Sequence, residues 1–479
     1  MLHQQAMWSF VKDMFSAFLR LSTCFVRFAV YFGQGYKFVI DELFHAYRSH
    51  GGFAGLEVRW RGFKRLTPVG EALKSFIASG RFGPVGVEAV RWDECLGRIL
   101  AEDVVSPVDV PAFNRAAMDG YAVRSEDTFG AKLDKPRKLR LVGRVEMGEK
   151  PGFEVGPGEA AEISTGAMLP DGADAVLIVE HASVVGGSIL VYQPVSPWRN
   201  VNRAGSDVRS GEVVLRRGQF LRPQDIGLLC LIGKDSVKVY VKPKVGILSV
   251  GSELVEPFSQ SPAGLGRVVD IDRPMVRCLV ERCGGDAQDW GIVGDEAELV
   301  AERLKEGMKG AHMAITTGGV SVGKSDITIE ALRLLGAKIL VHGVAIRPGS
   351  PVALSIYEGK PVVSLPGPPA ACLIAFHLFA RPVIRRLAGF RTEFLPCVRA
   401  RLAARVPSRL GNRSHVRVRL YRKDGQFWAE PLQVTGSGIL STMTRSQGFV
   451  VVPEDREGLE EGEQVTVYLY TPHELVGGG

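Results

Sequence analysis

The sequence predicts a multidomain protein in which a central parallel α/β domain lies between two mostly β regions. Three patterns carry this prediction. Short apolar alternations between glycine and proline turns fill residues 104–241, which is typical of β structure. Strand and helix signals alternate from Lys244 onwards, which indicates a parallel sheet with helices on both faces. Alternation with a period of two returns in residues 397–470 and predicts a further β region.

Individual elements follow from their apolar patterns and turn residues. In the central domain, predicted strands cover residues 245–250, 287–293, 312–316, 339–344 and 362–365, and predicted helices cover residues 274–283, 297–309, 327–335 and 369–387. Before this domain, the pattern predicts an N-capped helix over Val69–Ser79, a helix that ends near Ala101, and a short helix over residues 223–232. In the last β region, residues 415–420 predict a strand with Arg417 on the face opposite its valines.

The predicted domain boundaries lie where these patterns change. Residues 1–63 are an atypical extension, residues 64–243 form the N-terminal and linker region, residues 244–390 form the α/β domain, and residues 396–471 form the C-terminal domain. At 479 residues, the chain is long enough for several hydrophobic cores.

The first 63 residues differ in composition from the rest, since they hold 15 of the 39 aromatic residues. Charged residues interrupt the apolar stretch 7–40 at Lys12, Asp13, Arg20, Arg27 and Lys37. No charge-free run approaches the ~18 residues that a spanning helix needs, so the sequence predicts no transmembrane span. A cationic amphipathic surface helix is one interpretation. A start codon assigned too early is the other, and the abrupt change in composition favours it.

Charge and cysteine usage exclude several classes of protein. The net charge of +7 is spread along the chain and forms no cluster of lysine and arginine of the kind that binds nucleic acid. Seven cysteines occur without any C-x-x-C spacing, which argues against a zinc ribbon or a disulfide framework. These features predict a cytoplasmic protein that binds no nucleic acid.

Chemistry-bearing residues follow several strands of the predicted α/β sheet. Residues 316–323 and 365–369 are glycine-rich segments that pass from a strand into a helix, where backbone N–H groups can approach an anion. Carboxylates follow three strands, at Glu253, Asp295 and Asp326, although Asp326 can also be a simple N-cap. Because ligands bind at the carboxyl ends of strands in open α/β sheets, the combination predicts a site for an anionic nucleotide or phosphate with Mg²⁺.

Two further segments carry candidate functional residues. In residues 345–351, a turn after a strand, the guanidinium of Arg347 can bind a phosphate or an oxyanion, or it can be an ordinary surface arginine. In residues 109–122, apolar residues surround Asp119 and Gly120 without an amphipathic period. The Asp-Gly pair is a turn signal, so this segment is either a buried hairpin turn or a rigid support for a carboxylate.

Five segments together resemble one known family. They are residues 113–122 (FNRAAMDGYA), 164–167 (STGA), 205–207 (GSD), 317–323 (TGGVSVG) and 365–369 (LPGPP). Over residues 64–471, the chain is similar to the molybdopterin molybdenumtransferase (MoeA) family and to the E domain of gephyrin. The first segment is highly specific to that family, whereas the fourth is shared in weaker form with molybdopterin adenylyltransferases.

The resemblance implies a fold, a reaction and partners. The fold has a central domain like those of the MoaB and Mog proteins and a C-terminal β-barrel. The reaction inserts molybdate at the dithiolene sulfurs of adenylylated molybdopterin and releases AMP, with Mg²⁺ as the metal ion. The resemblance also implies a homodimer whose cleft lies between the α/β domain of one subunit and the Asp119 region of the other. It further implies molybdopterin adenylyltransferase as a partner protein.

The resemblance implies site residues as well. The catalytic carboxylates would be Asp119, Asp207, Glu253, Asp295 and Asp326, of which Glu253, Asp295 and Asp326 would also hold the metal ion. The residues that bind the pterin nucleotide and the oxyanion would be Thr165, Gly318, Gly319, Ser321, Gly323, Arg347, Ser350, Pro366, Gly367, Arg417 and Ser437.

Three departures from the family pattern leave alternatives open. Arg347 and Ser350 replace two lysines that the family usually has, so one cation changes geometry and another is lost. Ala116 replaces a serine, and Pro368 replaces an asparagine. The alternatives are a paralogue that uses tungstate, a weakly active scaffold that binds molybdopterin, and a molybdopterin adenylyltransferase. Retention of the five carboxylates favours an enzyme over the scaffold, and the flanking β regions disfavour the adenylyltransferase.

Overall fold

The computed structural model describes residues 66–80, 82–258, 266–320, 326–391, 395–432 and 440–471. The predictions for residues 1–63, Ser321, Gly323 and Ser437 lie outside these described residues. Within the described part, no helix is long and apolar enough to span a membrane.

The region before residue 243 folds mostly into β structure, as the sequence predicts. Its helices are α1 (Val69–Ser79) and α2 (Pro223–Leu231), and its strands are β1 (Val87–Arg91), β2 (Val104–Val105), β3 (Arg115–Ala116), β4 (Gly120–Val123), β5 (Arg137–Val145), β6 (Glu159–Ile163), β7 (Ala175–Ile178), β8 (Ala182–Val185), β9 (Ser188–Val191), β10 (Val201–Asn202), β11 (Val213–Leu215) and β12 (Ser236–Tyr240). A six-stranded sheet has the order β7-β4-β6-β5-β9-β8, and β5 and β6 are its parallel pair. The pairs β1–β12, β2–β11 and β3–β10 accompany it.

The prediction of a helix that ends near Ala101 is wrong. Residues 92–98 form turns, and Gly97 takes a positive φ of 75° that interrupts a right-handed helix. Leu100 then forms a β-bridge with Val239. Tertiary pairing with β12 therefore overrides the local helical pattern in this stretch.

The cap predicted for α1 is also wrong, although the bounds of the helix are confirmed. Pro68 takes the N-cap position, and no side chain caps the helix. Thr67 pairs instead with Val344 in a parallel bridge, so its backbone ties the start of α1 to the central domain.

The central domain is built on a six-stranded sheet. The strands of this domain are β13 (Lys244–Val250), β14 (Leu254–Val255), β15 (Val268–Val269), β16 (Asp286–Val293), β17 (Met313–Gly318), β18 (Lys338–His342), β19 (Ile346–Arg347), β20 (Ala353–Tyr357) and β21 (Lys360–Leu365). The sheet order is β16-β13-β17-β21-β20-β18, and its first four strands are parallel, as predicted. Strand β20 was not predicted; it runs antiparallel to both neighbours, and its turn into β21 contains Glu358 and Gly359, both with positive φ.

Helices cover both faces of this sheet, as predicted. They are α3 (Asp272–Arg282), α4 (Ala297–Met308), α5 (Ile327–Leu334), α6 (Pro369–Ala375) and α7 (Arg381–Leu387), and a π-helical turn, Phe376–Ala380, joins the last two. One buried core includes Phe76, Phe376 and Phe379. A second core includes Leu304 and Leu332. The two cores hold the strands in register, so the carboxyl ends of the parallel strands share one edge.

The C-terminal region is a closed β-barrel. Its strands are β22 (Cys397–Leu402), β23 (Val406–Pro407), β24 (Arg413–Lys423), β25 (Gln426–Pro431), β26 (Gly448–Val452), β27 (Gly458–Leu459) and β28 (Gln464–Leu469), and its helix is α8 (Leu440–Arg445). Strands β24-β25-β22-β28-β26 pair in that order, and β26 pairs back to β24. Strand β19 of the central domain pairs with β24 in parallel, so the turn that carries Arg347 is joined to the barrel.

Buried aromatic rings connect the barrel to the π-helical turn. The rings of His377 and Tyr470 stack with centroids 5.7 Å apart, and Phe449 lies 6.0 Å from Tyr470. Burial lowers the pKa of His377 to about 3 and that of His415 to about 4. Both imidazoles are therefore neutral at neutral pH.

Candidate active site

The two predicted glycine-rich segments meet at the carboxyl edge of the central sheet. Gly318 has a φ of +75°, and a Cβ atom there would lie 2.3 Å from the carbonyl oxygen of Val250. Gly319 has a φ of +64°, and its Cβ would lie 2.5 Å from Thr328 Oγ1. A Cβ on Gly367 would lie 3.5 Å from the Cα of Gly318. The positive φ and the close approach therefore require glycine at Gly318 and Gly319, whereas Gly367 makes only an ordinary contact with Gly318.

Hydroxyl groups of the strands and of helix α5 stabilise this junction. Ser249 and Thr317, at the ends of β13 and β17, form a buried hydrogen bond of 2.9 Å between their hydroxyls. Thr328 Oγ1, in the first turn of α5, donates to the carbonyl oxygen of Gly318 at 3.3 Å. Buried Pro366 leads from β21 towards α6. The junction is thus fixed by side chains on both the strands and the following helix.

Asp326 caps helix α5 and contacts a histidine that the sequence did not single out. Its Oδ1 accepts the N–H of Ile329 at 3.3 Å, which agrees with the N-cap interpretation. Its Oδ2 lies 2.7 Å from His342 Nε2. The only sequence signal for His342 is its place near the end of a predicted strand whose carboxyl end lies at the same edge.

Asp295 and Glu253 lie at the ends of the two neighbouring strands. Asp295 Oδ2 accepts the N–H of Ser252 at 3.0 Å, and the Ser252 hydroxyl accepts the N–H of Asp295 at 2.9 Å. Glu253 folds back over Gly251, where an added Cβ would lie 2.8 Å from its Oε2. Both carboxylates are exposed. The edge therefore presents negative charge to solvent beside the glycine junction.

The three predicted metal carboxylates share an edge but do not form a closed cage. Among the described residues, no three histidine, cysteine, aspartate or glutamate side chains are close enough to hold an ion. Mg²⁺ usually binds one or two carboxylates and completes its shell with water and substrate phosphates. The exposed carboxylates at this edge fit that open mode of binding.

The turn that carries Arg347 lies at the same edge. The Arg347 side chain is exposed, and Gly349, with a φ of +111°, packs close to the carbonyl oxygen of Ala371 in α6. The Ser350 hydroxyl donates to the carbonyl oxygen of Ile346 at 2.6 Å. Ser350 thus closes the turn, while Arg347 presents its guanidinium to solvent.

Arg417 is a buried cation in the barrel. Its side chain lies on the face of β24 opposite the valines, as predicted, but the residue is only 7 % exposed. Its Nε donates to Thr442 Oγ1 of α8 at 2.9 Å, and no carboxylate pairs with it in the described residues. Burial lowers the pKa of Arg417. A buried guanidinium without a carboxylate partner favours the binding of an anion.

The Asp119 segment is an exposed turn that holds a carboxylate and joins strands of two different sheets. Asp119 lies in the turn between β3 and β4, and its Oδ1 accepts the N–H of Thr165 at 2.6 Å and the Thr165 hydroxyl at 2.9 Å. These two hydrogen bonds lower the pKa of Asp119. At Gly120, a Cβ would lie 2.0 Å from the carbonyl oxygen of Leu177, so the tight pairing of β4 requires glycine. Strand β3 pairs with β10, whereas β4 pairs with β6 and β7, so the interpretation as a buried hairpin turn is wrong. The turn instead holds the Asp119 carboxylate in two hydrogen bonds.

Asp207 lies in an exposed loop of the same N-terminal region. Its N–H donates to the carbonyl oxygen of Val110 at 3.0 Å. Asp109 Oδ1 accepts the N–H of Ser210 at 2.8 Å and so fixes the same loop. Across the described parts of the chain, no hydrogen bond or ion pair links Asp119, Thr165 or Asp207 to the carboxyl edge of the central sheet. Among the described residues, the site residues of the N-terminal region are therefore not bonded to those of the central sheet.

Comparisons with known proteins show which family the chain belongs to. Three family models match: the MoeA N-terminal region (domain I and II) over residues 67–233, a probable molybdopterin binding domain over residues 246–386, and the MoeA C-terminal region (domain IV) over residues 399–470. A putative molybdopterin biosynthesis protein of Methanocaldococcus jannaschii is 38% identical over 389 residues, which cover 80% of this chain and 92% of that protein. The molybdopterin molybdenumtransferase of Haemophilus influenzae is 34% identical over 388 residues, 80% of this chain and 94% of that protein.

A solved structure shares the fold. The molybdopterin biosynthesis MoeA protein of Pyrococcus horikoshii matches with a TM-score of 0.74 and 35% sequence identity, over 85% of this chain and 100% of that one. A molybdopterin-binding α/β domain between a β-rich region and a β-barrel defines the class, that of proteins of molybdenum cofactor biosynthesis. The chain belongs to the MoeA family of such enzymes.

Proposed function

We propose that the chain is a molybdopterin molybdenumtransferase, which inserts molybdate into adenylylated molybdopterin with Mg²⁺ and releases AMP. The observation that carries this proposal is the carboxyl edge of the central sheet. There, a glycine junction that can cradle a phosphate lies beside the carboxylates of Glu253, Asp295 and Asp326. The name of the H. influenzae relative supports the same assignment, and that of the M. jannaschii relative supports a role in molybdopterin biosynthesis.

In this proposal, each group of residues has a distinct task. The backbone at Gly318, Gly319 and Gly367 binds and orients the phosphates of the nucleotide. When bound, Mg²⁺ would supply positive charge to those phosphates, and the edge carboxylates would hold it. Arg347 and Arg417 would bind the oxyanion or the pterin phosphate, since guanidinium groups match such oxygens.

A homodimer supplies the missing half of the site. Asp119, Thr165 and Asp207 are exposed and stand apart from the carboxyl edge, so we propose that they complete the edge of a second copy. A cytoplasmic location fits the free thiols of Cys95, Cys230, Cys278, Cys372 and Cys397.

Mixing two inactive variants is expected to restore activity if the site is shared between subunits. Asp119→Asn and Asp326→Asn dimers that exchange subunits produce heterodimers in which one of the two clefts carries both intact carboxylates. Random exchange then restores roughly a quarter of the wild-type AMP release. Mixing without subunit exchange is the control, and no recovery after exchange would place both carboxylates in a site within one chain.

The direct test of the reaction follows AMP release. Purified protein is incubated with adenylylated molybdopterin, Mg²⁺, and either molybdate or tungstate. Oxyanion-dependent AMP release supports the transferase, and a preference for tungstate identifies the paralogue. Absence of AMP release with intact pterin binding would favour the scaffold. The matches to both flanking regions continue to disfavour a molybdopterin adenylyltransferase.

Arg417→Lys is expected to weaken oxyanion or pterin binding about ten-fold, and Arg417→Met more strongly. Lysine keeps the charge but loses the planar fork of donors, whereas methionine removes the charge from a buried position. The apparent KM values for both substrates measure the effect. The exposed Arg419, on the same strand face and paired with Glu430 at 2.6 Å, is the matched control. Equal effects at both positions would argue against a ligand at Arg417.

Ser350→Lys is expected to lower the apparent KM for molybdate about ten-fold, because it adds a cation beside Arg347. Salt should reduce the gain through screening. Ser350→Ala is the control, since it removes the hydrogen bond to Ile346 without adding charge. Titration of the oxyanion at two ionic strengths decides the question, and an unchanged KM in the lysine variant would mean that this turn does not contact molybdate.

A further inference from the structure

His342 and Asp326 meet where the last residue of β18 lies beside the start of α5. His342 Nε2 lies 2.7 Å from Asp326 Oδ2, and both atoms are sealed from solvent. The other carboxylate oxygen, Oδ1, accepts the N–H of Ile329 at 3.3 Å. Both oxygens of Asp326 therefore have protein partners before any ligand arrives.

The other two edge carboxylates differ from Asp326 in this respect. Glu253 and Asp295 are exposed, whereas the side chain of Asp326 is only 12 % exposed. Asp295 uses Oδ2 for the N–H of Ser252. A cation can thus reach Glu253 or Asp295 from solvent, but it can reach Asp326 Oδ2 only if His342 moves away.

We propose that His342 lowers the affinity of this site for divalent cations by competing with the cation for Asp326 Oδ2. Mg²⁺ demands oxygen ligands at short distances in near-ideal octahedral geometry, so it cannot share Oδ2 with an imidazole nitrogen 2.7 Å away. The side chain of His342 is 30 % exposed, which leaves it a path towards solvent when it is displaced. This inference rests on the proposed function in taking Asp326 as a metal ligand.

His342 thus competes with the metal ion for Asp326 and is not itself a metal ligand. Removing the imidazole should therefore tighten the binding of a divalent cation. A contact between a polar donor and a charged carboxylate is typically worth about a ten-fold change in an equilibrium. The sign of the change distinguishes the two roles, because loss of a ligand would weaken binding.

The test measures binding of Mn²⁺ alone, by the electron paramagnetic resonance signal of the free ion, with Mg²⁺ as competitor and no pterin. His342→Asn should bind Mn²⁺ about ten-fold more tightly than the wild type. His342→Gln, which keeps a donor and nearly the same length, should show a smaller gain. His181→Asn, in the N-terminal region, is the matched control and should bind as the wild type does. Adding Asp326→Asn to His342→Asn should abolish the gain.

Several outcomes would overturn the inference. Unchanged or weaker Mn²⁺ binding in both His342 variants would contradict it. A gain in affinity that survives in the double variant would also contradict it, as would the absence of Mn²⁺ binding in every protein. If His342→Asn does not fold, as judged by its thermal unfolding, the glutamine variant carries the test. Failure of the proposed function is a separate result, since it appears as a lack of AMP release while the Mn²⁺ affinities still change.

Discussion

Asp326→Asn is expected to lower the rate of AMP release about 100-fold or more while the protein stays folded. The asparagine oxygen can still accept the N–H of Ile329, so the start of α5 remains capped. The substitution removes the negative charge that faces His342 at the edge of the sheet. AMP release at saturating Mg²⁺, together with the thermal unfolding midpoint, measures the two effects separately.

Asp225→Asn is the matched control for this substitution. Asp225 also caps a helix, since its Oδ2 accepts the N–H of Arg222 at 2.8 Å and its carboxylate pairs with the Arg222 guanidinium at the start of α2. Loss of this carboxylate should lower stability and leave the rate of AMP release close to that of the wild type. Near-normal turnover of the Asp326 variant would mean that Asp326 is only a helix cap.

The sequence predicts the parts of the fold and site that depend on local pattern. Strand and helix periods locate β13, β16, β17 and β21 and their helices, because each buries a face with a regular spacing. The glycine junction is also predictable, since Gly318 and Gly319 occur where a strand passes into a helix. Local pattern fails at residues 92–98, where pairing with distant strands decides the structure.

Contacts between distant segments account for what the sequence does not predict. His342 lies 2.7 Å from Asp326 only because β18 ends and α5 begins at the same edge, and no local signal marks that meeting. The alternation in β24 predicts the face of Arg417, but its burial depends on Thr442 of α8. Strand β20 follows a Pro-Gly turn and reverses the sheet direction, which the strand and helix alternation does not indicate.

Asp272 is a buried carboxylate at the start of α3, and it has no role in the proposed reaction. It begins α3 and is 7 % exposed, and its Oδ1 has no hydrogen-bond partner in the described residues. Burial, and then the nearby charge of Asp270, raise the pKa of Asp272 to about 7. Asp270 differs, because its carboxylate accepts the N–H and Nε of Arg273 at 3.2 and 3.1 Å.

Asp272→Asn is expected to stabilise the protein by roughly 2–4 kcal/mol at pH 8 and by little at pH 4. The folded pKa lies above the unfolded one, so the native state binds the extra proton and the wild type loses stability as the pH rises from about 4 to about 7. Asparagine has the same shape and no charge, so the variant does not lose this stability. The free energy of unfolding in urea, measured between pH 4 and pH 8, gives the effect. Asp270→Asn, which weakens the contacts with Arg273, is the control and should instead destabilise the protein throughout this pH range. If the difference in unfolding free energy between the wild type and Asp272→Asn does not depend on pH, Asp272 titrates alike in the folded and unfolded states.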